Sequence, residues 1–362
     1  MRAIVDAGAF SEALNHVRKV IQRSAIPILE GVLVRFKNGR CFLTASDFTT
    51  WLTVALPARE EEFAFVFQKP QEVAKACRYY QGELTLEVHD IKSDYPTVTF
   101  RSGHRSGTFD AFPEKDYPLP PPMEENVSFT TNAAALLKRI ERVKYAVRAP
   151  QGIYDEPQRT CVQFSGNDVF CVDSHRAACD TDTALAFPRP FLTWGNSLAF
   201  LKLMGGSEAA VRIGTNHIWF STDAVSICAH REGFETFRLR DAVPETFSEE
   251  FCVSPKEFLR ELEYLESFQP KKHRRTVCFC GGRLFFDKVE SKCSTSVEIE
   301  GESEITVGFD QRFMKDALTQ FKDSSRVKMK FSGEISPIVL EAEGRNDFAM
   351  VLPVRLYGRM AA

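Results

Sequence analysis

The residues most able to do covalent chemistry stand together in the tetrapeptide Asp173-Ser-His-Arg176. Ser174 or a nearby cysteine as nucleophile, with His175 as its general base, would be a hydrolytic arrangement. Adjacent residues on a strand or turn point in different directions, however, and a nucleophile and its base normally come from separate segments of the chain. The tetrapeptide is therefore a poor candidate for a catalytic site, and we expect a protein that is not an enzyme.

Ten cysteines are scattered along the 362 residues, with one Cys-x-Cys pair at Cys278 and Cys280 and no Cys-x-x-Cys pair. This spacing suggests neither a zinc site nor a disulfide framework. We therefore predict no metal, no cofactor and a cytoplasmic location, with the cysteines as small core residues in a reducing compartment. No window approaches 18 consecutive apolar residues, and the charge at Asp6 argues against a secretory signal, so no membrane partner is expected.

The elements that must position these residues follow a pattern that occurs three times along the chain. Each copy begins with a short strand and an amphipathic helix whose apolar residues recur at one buried face. The third of these helices has the clearest start signal, the capping box Ser254-Pro-Lys-Glu257. The first helices are predicted over 9–23, 133–148 and 256–268, and a second helix per copy over 69–81, 194–205 and 310–322.

Between the two helices of each copy lies a hairpin pattern whose turn carries glycine or asparagine. The hairpins are predicted over 32–44, 162–172 and 277–286, each ending near an aspartate, namely Asp47, Asp173 and Asp287. Helices alternating with antiparallel strands in this way predict an α+β fold built from three tandem copies of one domain. The domains are predicted over 1–123, 124–247 and 248–362.

Charge is distributed unevenly between these predicted helices and the rest of the chain. The 46 Lys and Arg against 49 Asp and Glu give a net charge of -3, which by itself argues against a nucleic-acid partner. The six predicted helices nevertheless sum to +8, which leaves -11 for the remainder, although the helix over 256–268 carries -2. Basic helices in an acidic chain suit contact with phosphates, and a merely solvated helix surface is the alternative.

Five segments, in chain order, match the motifs of a known family. They read Arg23-Ser-Ala-Ile-Pro-Ile-Leu29, Leu43-Thr-Ala-Ser-Asp47, Phe112-Pro-Glu-Lys-Asp-Tyr-Pro118, Val172-Asp-Ser-His-Arg176 and Val351-Leu-Pro-Val-Arg-Leu356. Over its full length the chain resembles the β subunit of bacterial DNA polymerase III, the sliding clamp. The resemblance implies a DNA-clamp architecture, a ring-shaped, head-to-tail homodimer that encircles duplex DNA without reading its sequence and has no catalytic residues.

The partners that the resemblance implies are duplex DNA, a DNA polymerase catalytic subunit, a clamp loader and other clamp-binding peptides. A clamp-like homologue that does not load on DNA, and that binds or blocks replication partners, is the alternative. The basic residues expected to face DNA are Arg23, Arg78, Lys138, Arg139, Arg142, Lys144, Arg148 and Lys202. For the homodimer the resemblance points to Phe109 and Phe268, with burial of Phe109 in its own core as the alternative.

The resemblance also implies a cleft for partner peptides between the second and third domains. One wall carries Val172, Ser174, His175, Arg176 and Ala177, and the other Asp310, Phe313, Ile335, Pro337, Met350, Val351, Leu352, Pro353, Val354, Arg355 and Leu356. Branched apolar groups, a methionine and arginines at the rim suit a short extended peptide with apolar anchors and an acidic or amide group. Ser174 replaces a family glycine, Arg159 stands where an apolar residue is expected, and a tail over 357–362 follows Leu356.

Overall fold

The computed structural model describes residues 1–123, 127–149, 155–268, 276–286 and 293–356. Asp287 and the tail over 357–362, which both figure in the sequence predictions, lie outside these ranges. Within them helices pack with sheets whose paired strands run antiparallel, and this confirms the predicted α+β class.

The first predicted repeat folds into nine strands and two α-helices. The strands are β1 Arg2–Asp6, β2 Val32–Lys37, β3 Arg40–Ser46, β4 Thr50–Pro57, β5 Arg59–Glu60, β6 Phe63–Phe67, β7 Glu83–His89, β8 Thr97–Ser102 and β9 Arg105–Pro113. The helices are α1 Ala7–Val17 and α2 Pro70–Cys77. Asn38 and Gly39 both have positive φ (54° and 74°) in the tight β2–β3 turn, which the Asn-Gly pair predicts.

The second and third predicted repeats contain the remaining described strands and α-helices. In the second are β10 Val127–Asn132, α3 Ala133–Val143, α4 Pro157–Thr160, β11 Val162–Gly166, β12 Asp168–Val172, β13 Arg176–Thr181, β14 Phe187–Thr193, α5 Gly195–Leu198, β15 Glu208–Ile213, β16 His217–Ser221, β17 Val225–His230 and α6 Leu239–Ala242. In the third are β18 Glu249–Val253, α7 Pro255–Glu266, β19 Thr276–Cys280, β20 Arg283–Phe286, β21 Ser294–Ser296, β22 Ile299–Glu300, β23 Thr306–Asp310, α8 Gln311–Gln320, β24 Val327–Phe331, β25 Ile338–Ala342, β26 Asp347–Val351 and β27 Pro353–Val354.

The chain forms two compact units, and their boundaries do not follow the predicted repeats. One unit comprises Met1–Leu137 with Thr193–Gly233 and holds a sheet in the order β10-β15-β16-β17-β4-β3-β2-β6-β9-β8-β7-β1-β5. The other comprises Lys138–Leu192 with the described part of Phe234–Ala362 and holds the sheets β14-β11-β12-β13-β26-β25-β24-β18-β22 and β21-β20-β19-β23-β27. Strands of the second repeat therefore complete sheets begun by its neighbours, and the three-domain division stays a prediction.

Helix ends show where local sequence decides the fold. Ser254 Oγ accepts a hydrogen bond from the Glu257 N–H at 3.3 Å, so α7 begins where its capping signal predicts. The first helix is shorter than predicted and ends at Val17. After Val17 the N–H groups of residues 19 to 21 bond to carbonyls three positions back, which is the tighter 3₁₀ pattern common at helix ends.

An aromatic core in the second unit packs against the elements that border the candidate functional site. The ring of Phe251 stacks on Phe279 at 5.1 Å and on Phe331 at 5.2 Å between centroids. Such pairs contribute about 0.5–1.5 kcal/mol each beyond the burial of their area. The same core includes Met314 from α8 and Val351 from β26, and it thereby fixes two elements that border the site described next.

Candidate functional site

The turn between β12 and β13 forms one wall of a cavity in the second unit. Asp173 Oδ1 accepts hydrogen bonds from the backbone N–H groups two and three residues further on, at 2.8 and 3.0 Å. In the first repeat Asp47 Oδ1 makes the same two bonds, at 3.0 and 2.8 Å. The aspartate at this place in the repeat is therefore a turn-closing residue, since aspartate side chains commonly bond their own backbone two residues on.

The neighbouring side chains do not form a nucleophile with its base. Ser174 Oγ accepts a hydrogen bond from Arg159 Nη1 at 2.8 Å, and the imidazole of His175 stacks on Phe313 with centroids 5.3 Å apart. Among the described residues no hydrogen bond links the serine to the histidine. Burial raises the pKa of the Cys171 thiol and raises that of Cys179 to about 12, which disfavours the thiolate.

A cavity of about 320 Å³ lies against this turn. The predicted cleft residues among those lining it are Val172, Ser174, Arg176, Ala177, Pro337, Met350 and Leu352. The pairing of β13 with β26 brings the two walls together, with Ala177 opposite Met350. Because side chains alternate across a strand, Met350 and Leu352 line the cavity while Val351 lies fully buried in the core. Placing Val351 on the cleft wall is therefore a mistake.

Three further residues predicted for the second wall make other local contacts and lie outside the lining of this cavity. Asp310 is the N-cap of α8, where its Oδ1 accepts from the Arg312 N–H at 2.9 Å, and it also forms an ion pair with the Arg312 guanidinium. Pro353 and Val354 form β27, which pairs with β23. These residues are used to build the third repeat, and they do not line the cavity.

Arg355 and Leu356, the last residues of the described chain, also lie outside the lining of the cavity. Leu356 closes over Gly308, where an added Cβ would come within 2.5 Å of Leu356 Cδ2, so the glycine is what allows this approach. Arg355 is exposed, and Ile335 is 73% exposed, but neither lines the cavity. His175 and Phe313 also lie outside its lining and form a stacked pair beside it.

Sequence reasoning missed one side of the cavity, which α4 and the segment before α6 provide. Gln158, Phe237 and Ala242 line it together with Glu156 and Asp173. The fully buried side chain of Gln163 ties these segments together, since it accepts from the Phe237 N–H and donates to the Gln158 carbonyl, both at 2.7 Å. An isolated glutamine in the apolar strand over 162–166 was the available signal, because a buried amide needs partners.

The rim arginine Arg176 is largely neutralised within the unit. Its Nε lies 2.9 Å from Asp173 Oδ2, and its Nη1 forms an ion pair with Asp316. The guanidinium also lies 4.8 Å from the centroid of the Phe313 ring. Its side chain is only 11% exposed, so Arg176 chiefly holds the turn against α8.

Arg139 does not face outward as predicted. It is 5% exposed, and its Nε donates to Asp180 Oδ1 at 2.7 Å while Nη2 donates to the Asn167 and Asp180 carbonyls. A buried guanidinium held by a buried carboxylate is not available to phosphates. Arg139 is therefore removed from the set of DNA-facing residues.

The other seven basic residues fall into two groups. Arg142, Lys144 and Arg148 form ion pairs with Asp180, Glu141 and Asp155 respectively. The exposed residues that make no ion pair within the described ranges are Arg23, Arg78, Lys138 and Lys202. Arg23 also lines a cavity of about 370 Å³ in the first unit together with Lys69. These four side chains are the cations best placed to meet an external anion.

The acidic charge of α7, which the charge pattern leaves unexplained, is used inside the second unit. Lys315 Nζ lies 2.7 Å from Glu266 Oε2 and 3.9 Å from Glu263 Oε1. Glu257 accepts from the Glu298 N–H at 3.2 Å, and Glu261 accepts from the Thr295 hydroxyl. The carboxylates of this helix therefore bind neighbouring elements.

The two aromatic residues predicted for the dimer contact differ in exposure. Phe109 is half-buried, with its ring 5.0 Å from that of Phe100 and 6.5 Å from that of Phe67. Phe268 is 46% exposed and touches the equally exposed Tyr264 edge-on at 5.1 Å. The Phe268 side thus offers an aromatic surface, whereas Phe109 is partly used by its own core.

The described residues contain no group of three or more His, Cys, Asp or Glu side chains arranged to hold a metal ion. None of the helices in these ranges combines the length and the apolar character that crossing a bilayer requires.

Comparisons with known proteins extend over nearly the whole chain. The beta sliding clamp of Staphylococcus aureus is 24% identical, with 96% of this chain and 97% of that protein covered, and the beta sliding clamp of Staphylococcus epidermidis is 21% identical over the same shares. Among solved structures, the DNA polymerase III β subunit of Pseudomonas aeruginosa superposes with a TM-score of 0.86 at 17% identity, covering 98% of this chain and all of that one. The Bacillus subtilis sliding clamp gives 0.85 at 19% identity, covering 99% and 100%. No family model matches the chain.

The fold is that of the DNA polymerase III β subunits, with the cavity beside the turn at Asp173 as its candidate binding site. Along nearly its whole length the chain is similar to bacterial sliding clamps at low sequence identity, and this confirms the resemblance carried by its five motifs. The alternative of a clamp-like homologue that does not load on DNA is not favoured by these similarities.

Proposed function

We propose that this protein is a DNA sliding clamp, a processivity factor that encircles duplex DNA and tethers a replicative polymerase to it. The observation that carries the proposal is similarity to sliding clamps over the whole chain, at 96% coverage by sequence and 98% by fold. On this proposal the protein works in the cytoplasm and catalyses no reaction of its own.

A protein that encircles DNA needs only a few contacts between its DNA-facing surface and the phosphates. A closed ring is retained by topology, so a few cations that contact phosphates and avoid bases allow the clamp to slide. We assign this role to Arg23, Arg78, Lys138 and Lys202, because their charges are exposed and make no ion pair within the described residues. The paired side chains of Arg142, Lys144 and Arg148 would add a weaker positive field.

The cleft is assigned to partner proteins. Its lining combines apolar side chains from Val172, Ala177, Phe237, Pro337 and Met350 with polar groups at one side, in a volume of about 320 Å³. A short extended peptide with one or two apolar anchors matches this composition. The polymerase catalytic subunit, the clamp loader and other clamp-binding proteins are the partners that would present such a peptide.

A homodimer is part of the proposal, because a ring that surrounds DNA must close. A head-to-tail contact between two copies closes when the rotation between them is two-fold. We assign the contact to the surfaces around Phe109 and Phe268, where the exposed pair Tyr264 and Phe268 supplies the aromatic area that such contacts need.

Topological retention on DNA tests this function directly. The protein is loaded by a clamp-loading complex onto nicked circular duplex DNA, washed in 0.5 M salt, and the DNA is then cut once with a restriction enzyme. We expect the protein to stay on the circle through the salt wash and to leave after linearisation, and to sediment as a dimer at micromolar concentration. A strict monomer, or equal retention on circular and linear DNA, would refute the proposal.

A further inference from the structure

We propose that Arg159 makes the cleft selective for peptides that carry a carboxylate beside their apolar anchor. This inference rests on the proposed function of the cleft as a peptide-binding site and names the ligand class that it takes.

Arg159 is held at the cavity wall by contacts that leave part of its guanidinium available. Its Nη1 donates to Ser174 Oγ at 2.8 Å, and its Nε lies 3.0 Å from Glu156 Oε2. Within the described residues Nη2 donates to no acceptor, and the side chain is 38% exposed. These two contacts fix the guanidinium and leave Nη2 for a ligand, so a carboxylate that replaces Glu156 can bind Nε and Nη2 together in the planar bidentate geometry.

The other charged groups that line the cavity already form hydrogen bonds or ion pairs within the protein. Asp173 Oδ1 accepts two backbone N–H groups and its Oδ2 pairs with Arg176, whose Nη1 is taken by Asp316. Glu156 is 58% exposed and is bound to Arg159 alone in the described residues. An exposed pair of this kind contributes little to stability, so a ligand carboxylate can replace Glu156 at low cost.

The apolar part of the cavity lies within reach of the same peptide. Val172 and Ser174 are two residues apart on the same chain segment, and both line the cavity together with Arg159, Met350 and Leu352. A ligand whose apolar side chain fills the space beside Met350 therefore brings its neighbouring residue toward the wall that Arg159 and Ser174 form. Selection follows from charge complementarity at that wall.

Binding of a small set of peptides tests the proposal. We would measure fluorescence anisotropy with labelled decapeptides that carry two leucine or phenylalanine anchors and differ in one adjoining residue, Asp, Asn or Lys. For the unmodified protein we expect the Asp peptide to bind about tenfold tighter than its Asn isostere, and the Lys peptide to bind weakest. Raising the salt concentration from 0.05 to 0.5 M should shrink the Asp preference, because the contact is partly exposed.

Substitutions of Arg159 and Glu156 test whether these two residues determine the preference for the Asp peptide. Arg159→Leu and Arg159→Gln should reduce the Asp/Asn ratio to less than about threefold while the Asn peptide still binds, and Glu156→Gln should increase it, since a competing carboxylate is gone. Arg238→Gln is the matched control, because Arg238 is exposed and does not line the cavity. Thermal melts establish that each variant is folded.

The outcomes separate this inference from the proposed function. An Asp/Asn ratio near one in the unmodified protein, or a tenfold ratio that survives in both folded Arg159 variants, would overturn the role of Arg159 and leave the cleft intact. If no peptide in the set binds the unmodified protein at all, the assignment of the cleft itself fails and the selectivity fails with it.

Discussion

Arg159 and Ser174 lie 15 residues apart in the chain and are joined by a hydrogen bond of 2.8 Å from Nη1 to Oγ. Both positions depart from the family pattern, which has an apolar residue at the first and a glycine at the second. A glycine has no side-chain oxygen to orient the guanidinium, so the two departures depend on each other. Together they turn one side of an otherwise apolar cleft into a polar wall.

The apolar side of the cleft predicts a selective loss of peptide binding. Leu352 lines the cavity and is 36% exposed, so Leu352→Ser removes contact area for a ligand while disturbing the core little. We expect anchored peptides to bind roughly five- to tenfold more weakly, in line with the loss of about 1 kcal/mol or more of apolar contact. Ile335→Ser serves as the control in the same anisotropy measurement, because Ile335 is 73% exposed and lies outside the lining. Equal effects of the two substitutions would contradict the assigned cleft.

The buried pair of Arg139 and Asp180 predicts a large effect on stability. In Arg139→Ala the Asp180 carboxylate, whose side chain is 4% exposed, keeps only Arg142 as an ion-pair partner, and the carbonyls of Asn167 and Asp180 lose the Nη2 donor. We therefore expect the free energy of unfolding to fall by about 3 kcal/mol. Lys138→Ala, one residue away but exposed, should change it by less than about 0.5 kcal/mol. Urea unfolding followed by circular dichroism measures both. A mild effect of Arg139→Ala would show that Asp180 is satisfied without it.

The exposed cations predict a charge-dependent interaction with DNA. Replacing Lys138 and Lys202 by Glu should weaken the binding of the unloaded protein to duplex DNA at low salt, and the slope of log K against log salt concentration should fall by about one for each lost phosphate contact. Lys37→Glu changes the same charge on a strand and should leave this binding unaltered. Binding that responds equally to all three substitutions would point to net charge as the cause, without a defined DNA-facing surface.

Asp168 predicts a pH dependence of stability. Burial acts to raise the pKa of its carboxyl, but hydrogen bonds from Arg240 and Thr181 and the charge of Arg240 outweigh that effect and lower it. A carboxyl with a depressed pKa in the folded state stabilises the fold above its unfolded pKa of about 3.9, and that contribution is lost as the pH falls through the folded value. We expect Asp168→Asn to cost about 1 kcal/mol at pH 7.

The same difference between Asp168→Asn and the unmodified protein should shrink as the pH is lowered below about 4, because the native carboxyl is then protonated as well. Thermal melts between pH 7 and pH 3 provide the measurement. Asp323→Asn is a suitable control, since Asp323 is exposed and forms no ion pair within the described residues. A difference that stays constant over this pH range would exclude titration of Asp168 as its cause.

Local signals in the sequence were enough to predict most elements and their turns. Ser254 predicts the start of α7, and Asn38 with Gly39 predicts a tight hairpin, because capping and positive φ depend on the residue type alone. Arg139 was predicted to be exposed, although its position in the helix indicates that it is buried. It stands three residues after Leu136 and four before Val143, on the apolar face of α3, so periodicity indicates burial where charge suggested exposure.

Other features depend on segments that meet only in the folded chain. The carboxylates of Glu263 and Glu266 form ion pairs with Lys315, which lies about fifty residues further on in the chain. No local pattern in α7 predicts this pairing. The wall of the cleft that includes Phe237 was missed for the same reason, because Gln163 joins it to β11 across 74 residues. Hydrophobic periodicity identifies which face of a helix or strand is buried, but it does not identify the element that packs against that face.

The sheet order has a consequence for truncated forms of the protein. Val225 and Cys228 on β17 pair with Val54 and Trp51 on β4, and β13 pairs with β26, so strands of the middle repeat cover edges on both of its neighbours. Cutting the chain at the repeat boundaries would bare those edges, which are templates for aggregation. Each compact unit, moreover, is assembled from two separated stretches of chain, and no single cut releases one. A nicked or prematurely ended polypeptide should therefore precipitate or be degraded, and would not persist as a partial clamp that competes with the intact one.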